Sequence, residues 1–259
     1  MGRLEGMKTT KRRRQAILHR LQTGALDVEG LEAEFQVSAS TIRRDLAQLA
    51  AEGHVLRTYG GAATPELPIQ QRVTVNLMAK RAIARMAASL VQDGETVMLD
   101  SGTTTGALAV ALASHGEKLH VVTNGLNAMM ALAEAPHVEL TILGGTLRKI
   151  SYGTIGPAAE ASLRRLSASR AFVSGDGVVA TFGVCEATSC QATLKELMMR
   201  QAQMVYVLAD ADKLGRMAAP AWAPLPACWT LITDARASAA QLAPFRALPN
   251  VTILIAGAD

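Results

Sequence analysis

A chain of 259 residues, 49% of them hydrophobic, is long enough to bury a sizeable core and suits a small domain joined to a medium α/β domain. The formal net charge is +4, and residues 1–60 hold 10 Lys/Arg against 7 Asp/Glu, so most of the excess sits at the N-terminus. Three cysteines without metal-ligand spacing argue against a disulfide framework or a zinc site and predict reduced core thiols; with neither an apolar signal core nor a bilayer-length apolar run, a cytoplasmic, soluble protein is expected.

From Lys11 to Gln22, Ile17, Leu18 and Leu21 recur at helical spacing, and Gly24 stops the run. Asp27 caps a second predicted helix, VEGLEAEF, in which Leu31 and Phe35 lie four apart. Ser38 caps a third, whose apolar stripe is Ile42, Leu46 and Leu49. The tight link between the last two predicts a helix-turn-helix. After Gly53 the period changes, and HVLRTYGGAAT with Gly60-Gly61 reads as a β-hairpin, which makes the motif winged.

Successive residues of a helix turn by about 100°. On the third helix Ser40, Arg44 and Gln48 therefore point away from the core, with Thr41 and Arg43 on the flanks. Neither arginine has a carboxylate three or four places away. Such a face beside a positive helix N-terminus suits the major groove of double-stranded DNA, where an arginine fork reads a guanine edge or holds a phosphate. The predicted DNA contacts are Arg12, Arg13, Ser38, Ser40, Thr41, Arg43, Arg44, Gln48 and Arg57. Arg44 is assigned to a base edge; Arg43, the KRRR leader and Arg57 are assigned to phosphates, which position without reading sequence. Taken alone, the same arginines would read as solvated surface.

Residues 8–64 form this predicted DNA-binding domain, and 65–78, with two prolines and little periodicity, read as a linker. In 79–259 a helix, KRAIARMAASLVQDG, precedes the strands TVMLD, LHVVTN, VELTIL, RAFVSGDG, MVYVLAD, WTLITD and VTILIAG, with helices near 104–114, 126–134 and 190–202 and another after WTLITD. Short apolar strands alternating with helices predict a mostly parallel α/β sheet covered on both faces.

Ligands of such sheets sit beyond the strand carboxyl ends. The first strand is followed by DSGTTTG, Asp100 to Gly106, which gathers backbone N–H groups and hydroxyls at a helix N-terminus, a place for a phosphate. From the loop alone, a cap without a ligand is an equal reading. It carries neither the lysine of a Walker A motif nor dinucleotide spacing. Asp176 between two glycines and Lys213 after a later strand favour a polar site for a hydroxylated anion.

The chain resembles DeoR-family transcriptional regulators over essentially its full length. RRQAIL, VSASTIRRDLAQLAAEG and RTYGGA look like the winged-helix signature, and LDSGTTT, VVTNGLN, GGTLRK, IGPAAE, SGDGV and LADADKLGR look like successive blocks of the sensor domain. The resemblance implies a sensor similar in fold to ribose phosphate isomerase that binds a phosphorylated sugar. The phosphate falls to Ser101, Gly102, Thr103, Thr104 and Thr105, the hydroxyls to Asp100, Asp176 and Asn124, and charge to Lys195 and Lys213, with Gly177 also in the effector site. Three positions depart from the family pattern: Gln191 stands where many members have a glutamate four residues before the matching lysine, Ser174 stands in the usual G-A-D-G block, and GVCEATSC replaces a Thr-Pro-Asn pattern.

The expectation is a ligand-controlled repressor of carbohydrate-utilisation genes, a homodimer or higher homo-oligomer, without membrane association, cofactor, metal or enzymatic activity. Its rivals are a sugar-phosphate isomerase carrying a DNA-binding leader and a sensor that acts through a protein partner without DNA.

Overall fold

A computed structural model describes residues 10–21, 26–52, 54–58, 61–63, 66–217 and 219–257. The N-terminal unit runs α1 (Thr10–Leu21), β1 (Leu26–Asp27), α2 (Val28–Phe35), α3 (Ala39–Ala51), β2 (Leu56–Thr58) and β3 (Gly61–Ala63). Asp27 accepts from the Gly30 N–H at 2.5 Å to open α2, and Gln36 closes that helix in the left-handed conformation. Ser38 then caps α3 through the Thr41 N–H. Ile17, Leu31, Phe35, Ile42, Leu46 and Leu49 pack into one core, each wholly buried side chain contributing about 1.5–3 kcal/mol. The wing is a three-stranded antiparallel sheet in the order β1-β3-β2, so Leu26 and Asp27 supply a strand that the hairpin reading lacked. Gly60 lies outside the described residues.

The segment expected to be a linker is structured instead. Residues 69–74 form α4 (Ile69–Thr74), and Leu77–Ala88 form α5. Ile69 is buried and its N–H bonds to the Ile150 carbonyl at 2.9 Å, so this segment belongs to the C-terminal unit. Its periodicity was invisible because six residues make fewer than two turns.

In the C-terminal unit a seven-stranded sheet has the order β15-β14-β12-β9-β4-β5-β6, and every neighbouring pair is parallel. Its strands are β4 (Thr96–Leu99), β5 (Leu119–Thr123), β6 (Val138–Ile142), β9 (Ala168–Val173), β12 (Ala202–Leu208), β14 (Trp229–Asp234) and β15 (Val251–Ala256). Small antiparallel additions, β7 (Thr146–Arg148) with β8 (Gly153–Ile155) and β10 (Gly177–Val179) with β11 (Gly183–Glu186) and β13 (Ala221–Ala223), lie outside it. Alternate strand residues enter opposite cores. Val97, Leu99, Val121, Phe172 and Leu208 meet α5, α6 (Thr103–Ala113) and α7 (Leu126–Leu132). Met98, Val122, Ala171, Val205 and Leu231 meet α8 (Pro157–Leu163), α9 (Ser189–Arg200) and α10 (Ala239–Arg246). Of the three cysteines, Cys185 is buried, but Cys190 and Cys228 are exposed, contrary to the expectation of core thiols. Among the described residues no helix is long and apolar enough to cross a membrane.

Candidate functional site

The chain builds β4 first, adds β5 and β6 on one side, and then returns to place β9, β12, β14 and β15 on the other. The strand order reverses between β4 and β9, and a crevice opens there at the carboxyl ends. A cavity of about 390 Å³ occupies it. Its floor is organised by Asp100, directly after β4. One carboxylate oxygen accepts from the Gly102 N–H at 3.0 Å and the Thr105 hydroxyl at 2.7 Å; the other accepts from the Ser174 N–H at 2.8 Å and from the Lys195 ammonium. Gly102 allows a close approach: a Cβ there would stand 1.9 Å from the Ser174 hydroxyl, which would have to turn away.

Lys195, on α9, also meets Glu186 at 3.1 Å, and the second Glu186 oxygen accepts from Gln191 at 2.9 Å. The carboxylate missing from position 191 is thus supplied in space by the end of β11. Burial raises the Glu186 carboxyl to about 7 against the pull of Lys195, with Asp176 and Asp100 adding to the rise. Burial would lower the Lys195 pKa, but Asp100 and Glu186 more than reverse it, so this ammonium stays charged.

A second set of cations faces the same cavity. Lys80, near the start of α5, is only 3% exposed and donates to the Arg72 carbonyl at 2.5 Å. Its pKa falls to about 8, first through burial, then through Lys213, with Arg72 contributing and Asp210 opposing. Lys213 and Arg216 also line the cavity. Asp210 and Asp212 line the same cavity, and Asp210 offsets only part of what burial, Lys213 and Arg72 cost the Lys80 charge, so a further anion there is favourable.

Of the predicted effector residues, Asp100, Ser101, Gly102, Thr103, Asp176, Lys195 and Lys213 line this cavity. Thr104 and Thr105 do not: they occupy the second and third positions of α6 and rotate into the core, where Thr105 supports Asp100. Gly177 is also turned away, pairing with Cys185 and packed against the Arg216 carbonyl. Asn124 is buried, donates to the Thr154 carbonyl at 2.8 Å, and borders a satellite cavity of about 20 Å³ beside Asp100 and Lys195. Sequence reasoning missed Glu66, Arg72, Lys80, Glu186 and Arg216, all of which line the main cavity.

In the N-terminal unit, Ser40, Arg43, Arg44 and Gln48 lie exposed on α3, with Thr41 half-buried. Gln48 donates to Glu52 at 2.8 Å, and Ser38 is occupied as the cap. Arg12 is exposed, but Arg13 is 4% exposed and its guanidinium meets Asp45 at 2.5 Å, while Arg14 reaches the other Asp45 oxygen at 2.9 Å. Arg13 is therefore a structural residue and no phosphate contact, because α1 turns it onto the same face as Ile17. Arg57 lies on β2, and its side chain is outside the described ones.

Comparison with known families decides what these two units are. Residues 75–235 match the DeoR C terminal sensor domain and residues 13–67 match the DeoR-like helix-turn-helix domain. The chain belongs to the DeoR family. Among DeoR-family relatives, the putative aga operon transcriptional repressor of Escherichia coli is 37% identical over 80% of this chain and 80% of its own. The lactose phosphotransferase system repressor of Lactococcus lactis is 30% identical over 91% and 95%. The glycerol-3-phosphate regulon repressor of Escherichia coli is 32% identical over 82% and 85%. The ribose 5-phosphate isomerase A structure from Neisseria gonorrhoeae aligns over 52% of each chain at 15% identity with a TM-score of 0.38, too low to add to the family assignment.

Proposed function

We propose that this DeoR-family chain is a cytoplasmic transcriptional repressor of sugar-utilisation genes, which binds operator DNA as a homodimer or higher oligomer and is controlled by a phosphorylated sugar. The observation that carries the effector half is the buried Lys80 with Lys213 beside it, two cations at a switch-point cavity where burial and their mutual repulsion disfavour the charge that an anion would restore. The phosphate lies between these lysines and the N-terminus of α6, where Ser101 and Thr103 present backbone N–H groups while that of Gly102 is held by Asp100. The sugar hydroxyls then face Asp176 and Glu186. The exposed arginines of α3 and its uncharged polar neighbours support the DNA half. Two half-sites need two recognition helices, which is the reason for an oligomer.

Isomerisation would need a carboxylate able to take a proton from carbon. Glu186 has a suitable pKa, but both its oxygens are engaged, by Lys195 and Gln191, and this favours binding over catalysis.

Thermal unfolding of the full chain against a panel of sugar phosphates tests the effector reading. A ligand at 100 times its Kd stabilises by about 2.7 kcal/mol, so one panel member raises the melting temperature with concentration. In Lys80→Met that shift disappears, while the ligand-free melting temperature rises by about 2–4 °C for each kcal/mol of charge burial relieved. The pH dependence has a definite sign. Below about 8, Lys80 is charged in both folded and unfolded states and its burial penalty is fully present; between about 8 and 10.5 the folded form has lost the proton, and the penalty fades. Ligand-free stability from this group therefore rises with pH through that window. Affinity for the phosphorylated ligand falls there, approaching about tenfold per pH unit. A pH-independent affinity, or an unchanged ligand shift in Lys80→Met, contradicts the assignment.

A further inference from the structure

Residues 66–76 lie across the cavity, and the contacts that hold them are nearly all polar. Glu66 forms a two-pronged pair with Arg148, one prong at 2.9 Å, and meets Arg72 at 3.2 Å. The other arm of the Arg72 guanidinium meets Asp176 at 3.2 Å. Lys80 holds the Arg72 carbonyl, and Asn76, in a left-handed conformation with φ 51°, donates to Asp210 at 2.9 Å and Asp212 at 2.8 Å. Ile69 is the one buried side chain of this segment, whereas Leu67, Val73 and Val75 are exposed. An element held this way opens at low cost compared with the core beneath it.

Two of the groups that hold the segment are the groups a phosphorylated sugar needs. Asp176 is the cavity carboxylate that would accept a sugar hydroxyl, and Lys80 is the buried cation nearest to lacking an anion. We infer that Arg72 is an internal occupant of the effector site, and that a bound phosphorylated sugar displaces it from Asp176 and frees residues 66–76 from the sensor domain. The inference rests on the effector reading above. Adding a phosphate beside Glu66 and Asp176 would crowd a third anion onto Arg72, so the phosphate goes to Lys80 and Lys213 and the sugar takes Asp176. The competition supplies what a ligand must have to shift an equilibrium, a lower affinity for the closed state than for the open one. The segment begins three residues after β3, so its release changes how the wing is tethered.

Hydrogen exchange and ligand titration on the full chain test this. The ligands are ribose 5-phosphate and the 6-phosphates of glucose, galactose and fructose, with inorganic phosphate alongside; the member giving the largest thermal shift is carried forward. With it bound, amides of residues 70–75 exchange at least about tenfold faster while the core of the sensor domain is protected. Arg72→Gln shows that fast exchange without ligand and binds the ligand at least about threefold more tightly, because the internal competitor is gone. Slower or unchanged exchange in the wild type, or weaker binding by Arg72→Gln, overturns the inference and leaves the effector reading standing. Absence of a thermal shift from every compound in the panel overturns the effector reading and this inference with it.

Discussion

Asp100→Ala is expected to destabilise the sensor domain by about 3–5 kcal/mol, the effect of removing one partner from a buried ion pair. Lys195, which Asp100 neutralises together with Glu186, would be left with one carboxylate that burial already pushes up to about 7. The Gly102 and Ser174 N–H groups lose their acceptor in the same step, while the Thr105 hydroxyl falls back on the Asp100 and Gly102 carbonyls. Calorimetry of the full chain should show the sensor transition lowered by roughly 6–20 °C, at about 2–4 °C per kcal/mol for a domain of this size. Asp100→Asn keeps an acceptor oxygen and the shape of the side chain, so its loss should be smaller. A melting temperature within 2 °C of wild type in Asp100→Ala, on the same scale, would mean that the carboxylate is not the hub of the crevice.

Asp45→Ala is expected to unfold the winged helix. Asp45 is buried and takes Arg13 and Arg14 of α1 on its two oxygens, joining α1 to α3. Removing it takes from Arg13 and Arg14 the buried carboxylate they share, at about 3–5 kcal/mol. A domain of this size rarely holds more than about 3–5 kcal/mol in total, so the loss equals its whole stability. Circular dichroism should report loss of helix confined to this unit, with sensor unfolding unchanged. Arg44→Ala provides the contrast, because its exposed side chain contacts no described partner and its loss should weaken DNA binding without unfolding. If Asp45→Ala keeps its helix content at 25 °C, the pair is not what joins α1 to α3.

The winged helix was legible because its signals are local. Asp27 and Ser38 announce their helices, and Ile42, Leu46 and Leu49 repeat with the helical period. Arg13 misled because a run of four basic residues reads as one solvated face, although a helix turns one residue of such a run inward. The question of what pairs the arginines of α3 has a related answer. The carboxylate beside them, Asp45, is turned inward and reserved for α1, which leaves Arg43 and Arg44 on the exposed face.

In the sensor half the parallel sheet was legible from short apolar strands, and the loop after β4 was legible from its composition. The remainder of the site comes from positions without a motif. Lys80 lies inside a helix that precedes the first strand of the sheet, Arg72 lies in a six-residue helix directly after Pro68, and Glu186 ends a strand five residues before Gln191, where the family pattern has a glutamate. Three successive threonines look alike in the sequence, but a helix turns them onto different faces. The first residue of α6 faces the cavity, and the next two face the core.

Control of DNA binding by the cavity can be read from one titration. A duplex selected from a random pool by the full chain is titrated with and without the sugar phosphate that stabilises the sensor domain. Affinity should fall at least about tenfold when the ligand saturates, a coupling of about 1.4 kcal/mol. Lys80→Met should bind the same duplex without responding to the ligand. If the ligand stabilises the sensor and DNA affinity stays the same, the cavity does not control the winged helix.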